Sequence, residues 1–427
     1  MLKIGLIDVD LLDGGTRHPN LAQMKMANYC IKKCSENGCK SDVHLIFKNE
    51  ELDSLRSFDL LLISKVFNFT SIPKQLDKMI NSKGLDLKAL NGSVENALNS
   101  IIENKPMETL ILIGGTGFFE DGGHDLDHDV EHCMPYYDLY NDYIDYKINI
   151  CGRQKSYYAD YLNASIGFTT RGCHRKCSFC VNKKYSHCFI HSPLSEFLDE
   201  NRDIIYLWDD NFLSLKEGWK TILDDLNNSG KKYQFRQGLD IRLLNEEKAE
   251  KLSQARYYGD YIFAFDHIQD KEIIKKQLNI WRKYCSKETK LYVLCGYDSR
   301  NDDPKYSIKG EYTVEEKDLI DIRNTFERIS ILMKYGCLPY IMRYESYKES
   351  PYKGIYTALA RWCNQPGIFK KMSFKEFCER NQDYAKTDKP CSSMRALLLL
   401  KKDDPDTYEK YVNLKFVEEK EEWKKFE

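Results

Sequence analysis

The chain has 427 residues, 42% hydrophobic and 30% charged, the composition of an ordinary globular protein long enough for two or three domains. Lys and Arg number 64 against 66 Asp and Glu, so no global basic field favours nucleic acid and only a local groove is left open. No run approaches the roughly 20 apolar residues of a membrane span. The start is broken by Asp8 and Asp10 and lacks the features of a signal peptide, which predicts a cytoplasmic protein with reduced thiols.

Residues 1–118 alternate short apolar strands with amphipathic helices. The segments 4–9, 42–47, 60–66 and 110–113 read as strands, and 19–34 carries apolar residues at helical spacing. This alternation predicts an α/β domain with a parallel sheet and helices on both faces, Rossmann-like or flavodoxin-like. Ligands on such sheets sit at the carboxyl ends of the strands, so Asp8, Asp10, Gly14, Gly15 and the loop Gly114-Gly115-Thr116-Gly117 would line one rim. Residues 119–162 are turn-rich and carry Tyr136, Tyr137, Tyr140, Tyr143 and Tyr146, the composition of a linker that packs on its neighbours. His124, His128 and His132 would share a face on a helix and bind a metal there, but the stretch lacks a clear helical pattern and reads as a solvated loop.

From residue 163 to 345 the pattern is a series of strand–helix units. Strands are predicted at 164–170, 204–208, 233–241, 261–265, 291–295 and 338–343, and helices at 215–227, 245–256, 273–284 and 314–335. Six such units suit a partial (β/α)6 barrel, a TIM-barrel relative with its site at the carboxyl ends of the strands. Residues 346–427 read as a helical cap ending in a charged run over 401–427, a solvated helix or a partner-binding tail.

Directly after the first of these strands stands Cys173-His174-Arg175-Lys176-Cys177-Ser178-Phe179-Cys180, a C-x3-C-x2-C triplet. Three clustered thiolates in a reducing compartment are a soft-metal site. Structural zinc wants four ligands, so three point to an iron–sulfur cluster with one iron open for a small molecule. The spacing, with an aromatic residue before the last Cys, resembles the radical S-adenosylmethionine (SAM) superfamily. That resemblance implies a [4Fe–4S] cluster on Cys173, Cys177 and Cys180, SAM at the open iron, and Phe179 near the adenine. An open cluster would be oxygen-sensitive, which suggests an anaerobic setting.

Strand ends supply the other candidates. Asp209 and Asp210 are expected to hold the SAM amino group, with an N-cap of the following helix as the alternative. Gln237, Asp240 and Arg242 are expected at ribose, carboxylate or substrate, with a buried Asp240–Arg ion pair as the alternative. Asp266, His267, Tyr297, Asp298 and Arg343 also lie at the predicted mouth. The basic patch of Arg171, His174, Arg175, Lys176, Lys183 and Lys184 would draw an acidic electron donor such as flavodoxin or ferredoxin.

An α/β domain before such a barrel resembles the cobalamin-binding-domain subgroup, in which the Gly114–Gly117 turn would approach the corrin or its nucleotide tail. The Asp-x-His-x-x-Gly motif that supplies a histidine to cobalt is absent after the first strand, and Asp42-Val43-His44 is only a partial lookalike. Cobalamin would bind here without that histidine or not at all. Neither Cys30, Cys34 and Cys39 nor Cys363, Cys378 and Cys391 has the spacing of a second cluster. The leading expectation is a radical SAM enzyme, with methyl transfer if cobalamin binds. Its rivals are a non-catalytic iron–sulfur electron carrier or redox sensor, and an RNA-modifying radical SAM enzyme whose linker tyrosines stack bases.

Overall fold

Leu2, Ile4 and Leu6 alternate with Ile7 along β1 (Leu2–Asp8), so the strand is apolar on both faces and must be covered on both. The computed structural model describes all residues except Asp13, Arg17, 83–91, 105–107, Lys183, Thr387, 421–423 and 425–427. Lys183 of the basic patch and most of the last seven residues of the charged run therefore lie outside the described residues. In the structure β1 pairs in parallel with β2 (Ser41–Ile46) and β3 (Leu60–Ser64), and β3 with β4 (Leu110–Gly114). The helices Leu21–Glu36 and Val94–Glu103 cover one face, and Leu52, Leu55, Leu76 and Ile80 pack on the other. Asn20 and Ser93 cap these two helices, accepting from the N–H groups of Gln23 and Asn96.

The strand order β2-β1-β3-β4 is the flavodoxin-like alternative of the two expected, and the order reverses between β1 and β3. Tyr137, Tyr140, Tyr143, Tyr158 and Tyr161 are buried in the same core as Met24 and Ala27, so residues of the tyrosine-rich stretch belong to the interior of this sheet's neighbourhood. Tyr137 donates to the Phe197 carbonyl at 2.6 Å and accepts from the Ile166 N–H at 2.9 Å. The phenol is amphipathic, and its hydroxyl finds a partner when the ring goes inside.

The chain divides into two compact units: Met1–Lys176 with Cys180–Trp208, and Cys177–Phe179 with Asp209–Glu427. The first unit also contains β5 (Ala164–Gly167), β6 (Thr170–Arg171), β7 (Phe189–Ile190) and β8 (Ile204–Leu207), with β5 parallel to β8 and β6 antiparallel to β7. The second contains β9 (Lys232–Phe235), β10 (Tyr261–Ala264), β11 (Thr289–Cys295) and β12 (Leu338–Arg343). β10, β11 and β12 form a parallel sheet, and parallel bridges join Tyr233 to Tyr257 and Leu239 to Phe263.

The strand expected over 233–241 ends at Phe235 because Gly238 adopts a φ of +87° and Asp240 caps the turn Ile241–Leu243. The helix expected from 215 starts at Trp219, after Gly218 in the left-handed region. The remaining helices, Glu246–Ser253, Lys271–Tyr284 and Val314–Lys334, fall within the expected spans or two residues beyond them. Helices Lys353–Cys363, Phe374–Ala385, Ser392–Asp403 and Pro405–Tyr411 follow β12, with Trp362, Phe369 and Phe374 packed ring against ring. Among the described residues no helix is long and apolar enough to cross a membrane.

Candidate functional site

Gly172, just before the triplet, has a φ of +91°, and a Cβ there would lie 2.0 Å from the His187 carbonyl oxygen. Lys176, inside the triplet, also adopts a left-handed φ of 46°. The segment is therefore a tight loop that turns back on its own chain. None of the 15 cysteines is in a disulfide. The Arg175 N–H donates to Cys173 Sγ at 3.5 Å and the Asn182 N–H to Cys180 Sγ at 3.4 Å. Backbone N–H donors on cysteine sulfur are one of the levers on the potential of a bound cluster. Among the described residues no three His, Cys, Asp or Glu side chains converge as a single metal ion requires. Cys173, Cys177 and Cys180 are thiols outside any disulfide, the donor type that iron–sulfur clusters use.

Ser178 and Phe179 meet the strand ends of the second unit. Phe179 packs against His267, with ring centroids 5.7 Å apart, and edge-on against Tyr297 at 5.3 Å. His267 is buried, shares a hydrogen bond between Nδ1 and Asp298 Oδ1 at 2.8 Å, and is stacked flat on Tyr306 at 3.7 Å. Tyr297 Oη donates to Ser178 Oγ, and burial pushes its phenol up from the usual value. Two devices aim these groups. Arg328, fully buried, donates to the carbonyls of Phe265 and Asp266 beyond β10. Beyond β11, the Gly296 N–H donates to Asp321 Oδ2 at 2.8 Å and Ser346 Oγ to the Gly296 carbonyl at 2.7 Å. The Asp321 carboxyl, buried and close to Asp298, is pushed up to about 6, and burial also raises that of Asp266.

The structure thus gathers Phe179, His267, Tyr297 and Asp298, and it adds Ser178, Asp303 and Tyr306. The remaining candidates stand elsewhere. Asp240 Oδ1 accepts from Arg242 Nε at 2.7 Å and Asp270 Oδ2 from Arg242 Nη1 at 2.6 Å, so the ion-pair alternative describes both Asp240 and Arg242. Gln237 is exposed beside Gly238. Asp209 is buried and Asp210 half-buried, and the N-cap positions of the following turn Phe212–Ser214 and of the helix from Trp219 are Asn211 and Gly218 instead. Arg343 is exposed and donates to Tyr347 Oη and Thr357 Oγ1.

On the first unit's rim, Asp10 accepts from the Val66 N–H at 2.7 Å, the Phe67 N–H at 3.4 Å and Thr70 Oγ1. This carboxylate occupies the backbone donors at the point where the strand order reverses. Gly115 has a φ of +100°, and a Cβ there would lie 2.4 Å from the Lys65 carbonyl oxygen, while the Gly117 N–H donates to that same oxygen. Gly115 and Gly117 therefore serve close packing on the chain after β3, and Gly114 closes β4 opposite Ser64. Phe67 and Phe69 are exposed there and stacked at 5.2 Å.

His124 and His128 are exposed as expected, but His128 opens the short helix His128–Glu131 where a loop was expected, its ring 4.5 Å from that of His132. His132 is half-buried, bonded to Glu196 Oε2 at 2.7 Å and stacked on His191. His44 lies in β2 and pairs with Glu51. Tyr137, Tyr140 and Tyr143 are buried, which removes them as stacking platforms for bases. In the basic patch Lys184 pairs with Asp125, and the Arg171 guanidinium lies over the Phe168 ring at 4.1 Å.

With this geometry in place, the chain is similar to cobalamin-dependent radical SAM enzymes of solved structure. One is the radical SAM methyltransferase TsrM from Kitasatospora setae with cobalamin and a [4Fe–4S] cluster bound, at 12% identity and a TM-score of 0.46 over 80% of this chain and 75% of that one. The same enzyme with tryptophan and a SAM analogue gives 12% and 0.47 over 87% and 78%. The cobalamin-dependent SAM radical enzyme OxsB, with aqua-cobalamin and SAM bound, gives 14% and 0.35 over 96% of this chain and 56% of that one. No protein-family model and no curated protein matches the chain.

Proposed function

We propose that this chain is a radical SAM enzyme whose Cys173, Cys177 and Cys180 hold a [4Fe–4S] cluster, with the strand–helix units of residues 163–345 as a partial (β/α)6 barrel. The observation that carries the reading is the cysteine loop itself, with N–H donors on two of its sulfurs and Phe179 seated against His267 and Tyr297. When bound, such a cluster supplies the electron that cleaves SAM to methionine and a 5′-deoxyadenosyl radical, which takes hydrogen from the substrate. The chain's own part is to seat and shield. Phe179, His267 and Tyr297 offer ring surface to the adenine and exclude water. Asp298 fixes the orientation of the His267 ring, and Asp209 or Asp210 receives the SAM amino group.

Cobalamin-dependent methyl transfer is the finer reading, favoured by the flavodoxin-like sheet and the exposed Phe67–Phe69 pair on its rim. With Asp10 already on the Val66 and Phe67 donors, that rim would favour an apolar face over a phosphate. Anaerobic reconstitution tests the core of the proposal. About four irons per chain are expected in the parent, with loss of the cluster's visible absorption in each of Cys173→Ala, Cys177→Ala and Cys180→Ala. Parent-like loading in any of the three would overturn the ligand assignment.

A further inference from the structure

We infer that Tyr297 and Asp303 are positioning residues that latch the loop between the second and third cysteines through the Ser178 side chain. The inference deepens the radical SAM reading, and its physical core stands on the latch geometry alone.

Ser178 lies between Cys177 and Cys180, and its hydroxyl is held from two sides. Tyr297 Oη donates to Ser178 Oγ, and Ser178 Oγ donates to Asp303 Oδ2 at 3.1 Å. A serine hydroxyl has one proton to give, and here it goes to a carboxylate, the stronger kind of acceptor. Asp303 is itself fixed. Its Oδ1 accepts from the N–H groups of Lys305 at 2.9 Å and Tyr306 at 3.2 Å, and its own N–H donates to Asn301 Oδ1 at 2.7 Å. Asn301 Nδ2 closes the circuit by donating to the Tyr297 carbonyl at 2.8 Å.

The aromatic partners make the latch specific. Tyr297 is wedged edge-on between Phe179 and Tyr344, at 5.3 and 4.8 Å, so its hydroxyl has little freedom to turn away. Tyr306, next in the same loop, is stacked on His267, which also touches Phe179. Residues 297–306 therefore hold Ser178 by hydrogen bonds and Phe179 by ring contacts. Any ligand that orders this loop also orders the backbone between Cys177 and Cys180, and one that displaces it releases that backbone.

Tyr297→Phe deletes one hydroxyl and keeps the ring packing, Ser178→Ala removes the other half, and Asp303→Asn keeps an acceptor at the same place. The first readout needs no cofactor: anaerobic alkylation rates of Cys177 and Cys180 in the apoprotein, measured by peptide mass spectrometry with Cys173 as internal reference. Rates should rise about fivefold in Tyr297→Phe, the factor for one ordinary hydrogen bond, and further in Ser178→Ala, which removes the bonds to both Tyr297 and Asp303. The double variant should match Ser178→Ala, and Asp303→Asn, which exchanges the carboxylate for a weaker neutral acceptor, should fall between the parent and Ser178→Ala. The second readout is SAM binding by reconstituted protein, expected to weaken by a similar factor at unchanged iron content. Unchanged alkylation in both single variants, or an additive rise in the double, overturns the latch. A parent that loads no iron overturns the radical SAM reading instead, and the alkylation comparison still decides the latch.

Discussion

Asp8 lies at the end of β1, buried, accepting from Tyr140 Oη at 3.4 Å and from the Asp10 N–H at 3.2 Å. Burial first, and then the Asp10 charge, push its carboxyl up from 3.8 to about 7. The folded chain therefore keeps a proton that the unfolded chain releases. This contribution to stability is complete below about pH 4 and is lost as pH rises toward 7, at a slope of up to about 1.4 kcal/mol per pH unit. Asp8→Asn should flatten that decline between pH 5 and 7 in chemical denaturation, and an unchanged slope would contradict the assignment. Gly115 makes a second residue-scale prediction. A Cβ at its φ of +100° would meet the Lys65 carbonyl oxygen, so Gly115→Ala should cost about 1–3 kcal/mol and lower the melting temperature. At this scale the cysteine triplet and Phe179 were plain in the sequence, because they stand close together along the chain. It hid Asp303 and Tyr306, which reach the site through the fold of a loop and carry no local pattern.

Among the elements, the ends of β10 and β11 decide where the candidate site stands. Arg328, on the helix Val314–Lys334, closes β10 by donating to the Phe265 and Asp266 carbonyls and to Thr325 Oγ1. Arg328→Met would leave these carbonyls unpartnered in the interior, a loss of roughly 2–4 kcal/mol. The expected outcome is a lower melting temperature together with weaker SAM binding, since His267 follows Asp266 directly; parent-like values for both would contradict this role. Most strands were legible as apolar runs between turn signals, and so were the long helices with apolar spacing. The break at Gly238 was not, because Gln237-Gly238-Leu239 satisfies a strand pattern until the glycine's left-handed backbone is seen. Tyr137, Tyr140 and Tyr143 were expected to pack on neighbouring residues, and their burial leaves aside only the alternative in which they stack bases. Tyr140 and Tyr143 pack edge-on with Tyr161 and Tyr158 inside the first unit.

For the molecule as a whole, 64 basic against 66 acidic residues leave no net field to recruit an electron donor, so any attraction is local. Lys184 already spends part of its charge on Asp125, with the ammonium 2.5 Å from the carboxylate. Reversing Lys183 and Lys184 should slow SAM cleavage driven by flavodoxin or ferredoxin and leave dithionite-driven cleavage unchanged. Equal slowing of both would remove the patch from consideration. The radical SAM reading itself meets its most direct test in 5′-deoxyadenosine. Reconstituted, dithionite-reduced protein given SAM under anaerobic conditions should form it, as quantified by mass spectrometry, while Cys177→Ala should form none. A parent with an intact, reduced cluster that neither binds SAM nor yields 5′-deoxyadenosine would contradict that chemistry and leave an electron-transfer or sensing protein.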